Sequence, residues 1–82
     1  MIGRIEEIIL GAFKKIVVES GGEAEVNLSR NIYFDLSLDS LDFAEAIVEI
    51  EDEFDIVMDD GDFYNCKTVQ EVVDVVRKML EK

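Results

Sequence analysis

The sequence predicts an all-α domain, a bundle of three main helices and a short fourth, with a long ordered loop joining the first helix to the second. Two observations carry this expectation. Apolar residues recur at steps of three and four in three separate stretches, and the single strand-like run, Asn31 to Leu36, has no second run to pair with. A chain of 82 residues, 49% of them hydrophobic, suits one domain spanning residues 1–82 with a core that needs no staples.

The first helix is expected over Ile2 to Glu19, where Ile2, Ile5, Ile9, Ala12 and Ile16 form a stripe widened by Ile8 and Phe13. Ser20-Gly21-Gly22 ends it, since glycine takes the positive φ of a helix end at little cost. The stretch to Leu38 is longer than the roughly 12 to 15 residues usual for a structureless connection. Val26, Leu28, Ile32, Tyr33, Phe34, Leu36 and Leu38 give it enough apolar side chains to lie on the core as a folded lid.

The second helix is expected to begin at Asp39 or Ser40 and run to Phe54. Asp39 can accept from free amides of the first turn, and Asp42 adds negative charge near the positive helix end. Phe43, Ile47, Ile50 and Phe54 make its core stripe. A second line, Leu41, Ala44 and Val48, is flanked by Glu45, Glu51 and Asp52. That ridge suits either peripheral core or a surface that docks another protein.

Asp59-Asp60-Gly61-Asp62-Phe63-Tyr64 allows only a short helix or turn, with Phe63 and Cys66 inward. Thr68 and Glu71 then form a capping box. Val69, Val72, Val73, Val76 and Leu80 give the last helix an apolar face, and Arg77, Lys78 and Lys82 give it a basic end.

Charge narrows the function. The net charge is −12, and Asn31 to Cys66 holds 12 of the 20 acids and none of the eight bases. Such a face repels nucleic acid and anionic lipid, and it steers proteins with basic patches within a Debye length of about 8 Å. Histidine is absent and Cys66 is the single cysteine, so there is no internal disulfide and no ready acid/base pair. No nucleophile–base pair, metal cluster or phosphate-cradling loop can be assembled, which argues against an enzyme. With an early acidic N-terminus and no apolar run near the roughly 20 residues of a membrane span, a reduced, cytoplasmic monomer is expected. A calcium loop fails on spacing. With Gly61 at its sixth position, Ile56 and Met58 occupy ligand positions and Lys67 replaces the final glutamate.

Asp39-Ser40-Leu41-Asp42, the acidic helix, Glu51-Asp52-Glu53-Phe54 and Thr68-Val69 together resemble the acyl carrier protein family, over about Ile5 to Leu80. The resemblance implies that Ser40, flanked by Asp39 and Leu41, bears 4′-phosphopantetheine delivered from coenzyme A by a phosphopantetheinyl transferase. It further implies an acyl group held as a thioester and handed among synthases, reductases and acyltransferases. Asp39, Leu41, Asp42, Ala44, Glu45, Val48, Glu51 and Asp52 are the expected partner surface. Ile47, Ile50, Phe54, Val69 and Val73 are expected to line or adjoin a core that shelters the acyl chain, worth about 0.8 kcal/mol per methylene. A phosphate on Ser40 would meet free amide donors, while Asp39 and Asp42 oppose it and leave the arm mobile. Ser37-Leu38, where housekeeping members usually have Gly-Ala, and Asp59, where proline is common, favour a specialised carrier serving polyketide, modified-lipid or another secondary pathway over one serving central fatty-acid synthesis. The rival readings are a carrier-like interaction module that is never loaded and an acidic divalent-cation binder.

Overall fold

The computed structural model describes residues 3–23 and 25–81, the side chain of Asp60 excepted. Ile2 and Lys82, assigned above to the first helix and the basic end of the last, lie outside the described residues. Among the described residues four helices follow in order: α1 (Arg4–Glu19), α2 (Ser40–Phe54), α3 (Asp60–Phe63) and α4 (Val69–Leu80). The expected all-α architecture and its long α1–α2 loop are present.

α1 opens at Gly3, whose N–H donates to Glu6 Oε2 at 3.2 Å. It closes as the glycines require. Gly22 N–H donates to Val17 O at 2.8 Å and Gly21 N–H to Val18 O at 3.0 Å, with Gly21 at φ 83°. Its buried face holds Ile9, Ala12, Phe13 and Ile16 as predicted, together with Leu10 and Val17. α1 packs on both α2 and α4, and α3 rests on α4. Exposed ion pairs cross these seams, Lys15 Nζ to Glu49 at 2.9 Å and Arg77 to Glu6 at 2.6 Å. The Arg77 hydrogen bond holds the Glu6 carboxyl below its ordinary range.

The loop is pinned to the start of α4. Ile32 N–H donates to Lys67 O at 2.8 Å, Val69 N–H to Arg30 O at 3.2 Å and Gln70 N–H to Leu28 O at 2.9 Å. Asn31 and Thr68 thereby form a single antiparallel bridge. The strand-like run thus finds its partner in an extended N-cap residue, and beyond Asn31 it turns. Asn31 Oδ1 accepts from both Tyr33 N–H and Phe34 N–H at 2.9 Å, and Asp35 Oδ2 accepts from Asn31 N–H at 2.7 Å.

Val26, Ile32, Leu36 and Leu38 seal the core as the lid reading expects. Phe34 departs from it at 86% exposed, because the tight Asn31 turn aims successive side chains to different sides. On α4 Val69, Val72, Val73 and Val76 are buried, but Leu80 is 41% exposed and Met79 packs on the core in its place. A stripe continuing from Val76 can step by three or by four, and here it steps by three.

Candidate functional site

Ser40 is the first residue of α2, and its position follows from the cap before it. Asp39 is extended (φ −96°, ψ −179°) and its Oδ1 accepts from Asp42 N–H at 2.8 Å, while Asp42 Oδ2 accepts from Asp39 N–H at 3.3 Å. This reciprocal cap occupies both flanking carboxylates and leaves the Ser40 hydroxyl out. Ser40 is exposed. Phe43 N–H already bonds Asp39 O at 3.0 Å, so among the described residues the Ser40 and Leu41 N–H groups are the two first-turn donors without a partner. An outward hydroxyl beside two free amides at the positive end of a fifteen-residue helix can attack an activated phosphoryl group, giving up its proton as the donor's leaving group departs, and the amides can hold the resulting phosphate ester.

The outer face of α2 carries the expected ridge in the open. Leu41 is 69% and Val48 54% exposed, with Ala44 half-buried between them. Glu45 and Asp52 edge it as exposed carboxylates. Glu51 is placed differently. Half-buried, it accepts from Met58 N–H at 2.7 Å through Oε2 and so ties down the segment that follows α2. Asp39 and Asp42 also reach the rim, engaged with each other.

The inner face takes Phe43, Ala46, Ile47 and Ile50 into the core, where Val69 and Val73 of α4 join them fully buried. Phe54, at the far end of α2, is only half-buried against that cluster. The expected acyl-chain residues therefore divide into a buried four and one peripheral ring. Rings from three other segments crowd the Ser40 end of this core: Phe13, Tyr33 and Phe63 each contact Phe43.

Cys66 is buried, and its Sγ–H donates to Asp62 O at 3.5 Å. Burial first, and then the charges of Glu71, Asp62 and Asp74, push the thiol up to about 11. That is the inert core cysteine the sequence suggests. Among the described residues no group of three or more His, Cys, Asp or Glu is arranged to hold a metal ion, and no helix is long and apolar enough to cross a membrane.

Comparison with known proteins meets this geometry. Residues 11–76 match the family model described as the phosphopantetheine attachment site. The chain belongs to that acyl-carrier family. An acyl carrier protein of Cyanophora paradoxa is 44% identical over 52 residues, which make up 63% of this chain and 50% of that protein. The chain thus spans about half the length of this curated relative. The prosthetic group of the family is 4′-phosphopantetheine, held covalently. The α2 start fits it: the hydroxyl is free of the cap, and two amide donors stand ready for a phosphate.

Sequence reasoning missed two things here. Phe34 stands exposed in the loop and apart from the lid, and the Asn31 side chain, able to turn the next residues sharply, is the available signal. The aromatic layer under Ser40 draws its rings from four separate segments, which no local spacing reveals.

Proposed function

We propose that this chain carries acyl units on a 4′-phosphopantetheine arm attached at Ser40, as a non-catalytic shuttle between enzymes of fatty-acid, modified-lipid or polyketide synthesis. When bound, the group supplies a flexible arm ending in a thiol on which an acyl unit is held as a thioester. The chain itself supplies the Ser40 hydroxyl as the anchor, and the Ser40 and Leu41 N–H groups as phosphate donors. Asp39 and Asp42, locked in the cap, hold negative charge beside that phosphate and keep it from binding tightly. The observation that carries the reading is the exposed hydroxyl at the first position of α2, outside a closed capping box.

The exposed ridge of Leu41, Ala44 and Val48, edged by Glu45 and Asp52, supports docking to a transferase, and to synthases, reductases and acyltransferases with basic patches. The acids steer the encounter and the apolar ridge supplies contact, so raised salt slows association more than it speeds dissociation. Ser37 and Asp59, at positions where other carriers favour glycine and proline, support a specialised pathway.

Mass spectrometry after incubation of the unmodified protein with coenzyme A and a broad-specificity phosphopantetheinyl transferase tests the attachment. The wild type gains the mass of one phosphopantetheinyl group, and Ser40→Ala gains none. A gain that persists in Ser40→Ala moves the anchor elsewhere. No gain in the wild type makes the chain an unloaded interaction module.

A further inference from the structure

The Ser40 end of the core is closed by aromatic rings. Phe43 follows Ser40 by three residues and so lies on the next turn of the same helix. Its ring meets one partner on each neighbouring element. Phe13 of α1 stacks on it at 6.2 Å between centroids with 21° between planes. Tyr33 of the loop meets it edge-on at 5.9 Å and 81°, and Phe63 of α3 does so at 5.8 Å and 82°. Phe13, Phe43 and Phe63 are buried, and Tyr33 is half-buried.

Three seams beside Ser40 are each bridged by a ring pair: α1–α2, loop–α2 and α2–α3. Ile47 and Ile50 lie one and two turns deeper along α2. Edge-to-face contacts contribute beyond the area they bury, and a displaced ring leaves a void that a thin chain fills poorly. Each methylene sheltered in return contributes only a small fixed increment, whereas entry unpacks buried Phe43 together with buried Phe13 or Phe63, and the lost packing of two whole aromatic side chains exceeds what a chain of up to about ten carbons returns.

We propose that this ring layer keeps the carried acyl group outside the bundle, and that the cargo is a short or polar acyl group rather than a long alkyl chain. The inference rests on the carrier reading and specifies where the cargo resides. It separates the four buried residues, Ile47, Ile50, Val69 and Val73, from the acyl group they were expected to shelter.

The test loads the full chain enzymatically with acetyl- and decanoyl-phosphopantetheine, confirms each product by mass, and compares backbone amide spectra and thioester cleavage by hydroxylamine. In the wild type the amide signals of Ile47, Ile50, Val69 and Val73 coincide in the two forms, and both thioesters are cleaved at the same rate. Core signals that move with chain length, or a decanoyl thioester cleaved several-fold more slowly, overturn the proposal. Opening the layer with Phe63→Leu or Phe43→Ala introduces that chain-length dependence. Phe63→Leu keeps most of the buried volume and carries the comparison if Phe43→Ala does not fold. Folded variants as insensitive as the wild type overturn the assignment to the rings. A wild type that gains no mass overturns the carrier reading itself, an outcome visible in the mass spectrum before any cargo is compared.

Discussion

α2 and α4 begin with the same device and put it to opposite uses. Each start has an extended N-cap residue whose side chain accepts from the third helical N–H, and a carboxylate that reaches back to the N-cap N–H: Asp39 with Asp42, and Thr68 with Glu71. At α4 the two remaining first-turn donors are taken by the loop, Val69 N–H by Arg30 O and Gln70 N–H by Leu28 O. At α2 the equivalent donors, on Ser40 and Leu41, find no partner among the described residues. A cap therefore fixes where a helix starts, and its surroundings decide whether that start is structural or available for chemistry. Here the loop that leaves the α2 start open is the one that closes the start of α4.

If the α4 start is structural, the joint leading into it is sensitive to a buried charge. Cys66 sits there with its thiol pushed up to about 11 by burial, against the 9.0 of a free thiol. The raised value means that the folded chain keeps a proton the unfolded chain releases. The thiol's contribution is therefore complete below about 9 and is lost as pH rises toward about 11. Across that window the wild type should lose on the order of 2–3 kcal/mol of unfolding free energy relative to Cys66→Ala. Urea unfolding of both proteins at pH 8 and pH 10.5 measures it. Tyr33, raised by burial and then by the Cys66 charge, weakens both proteins, the wild type slightly more, and so adds to the difference in the same direction. Equal losses in the two would show that the thiol titrates alike in the folded and unfolded chains, so that the joint opens and exposes it before the chain unfolds.

A direct comparison of the two caps gives the next effect. Thr68→Ala removes the hydroxyl that accepts from Glu71 N–H at 3.2 Å and loosens the loop strapped across that turn. It should cost about 2 kcal/mol, the upper end for a lost N-cap. Asp39→Ala removes an equivalent bond of 2.8 Å from a solvent-facing start with nothing docked on it, and should cost about 1 kcal/mol. Amide exchange adds a sharper distinction. Thr68→Ala deprotects Ile32, Val69 and Gln70 together, whereas Asp39→Ala leaves those three unchanged. Deprotection of the loop by both variants would mean that the two helix starts are coupled.

What the sequence discloses of this arrangement tracks the range of the interactions. Both caps join residues three apart, and the apolar stripes repeat within a helix, so Asp39–Asp42, Thr68–Glu71 and the buried valines of α4 are legible before any fold is known. Ser40 is legible for the same reason, as part of a local pattern at a helix start. The strap between residues 28–32 and 67–70 is not. Its bonds are backbone to backbone and cross the chain, leaving no mark in side-chain type. The ring layer is invisible for a related reason, since Phe13, Tyr33, Phe43 and Phe63 read separately as ordinary core residues of four segments. Glu51 shows the limit in a single side chain. Its spacing places it beside the outer ridge, and a tertiary contact with Met58 N–H turns it inward.

The smallest effect lies between the two regions, at the residue that redirects the chain from the strapped loop into the open helix start. Ser37 has φ 57°, in the left-handed region, where a side chain costs roughly 1–2 kcal/mol that glycine avoids. Ser37 is exposed, so its replacement empties no core space. Glycine also enlarges the freedom of the unfolded chain, which offsets part of the gain. Ser37→Gly should therefore raise stability by less than about 1 kcal/mol, read as a small increase in Tm, and Ser37→Val should lower it by a similar or larger amount. Neither change touches the Asp39–Asp42 cap or the free donors at Ser40 and Leu41, so loading by the transferase should proceed as in the wild type. A large loss of loading in Ser37→Gly, with stability preserved, would mean that the kink positions Ser40 for its modifying enzyme, and that the open helix start depends on the strapped loop.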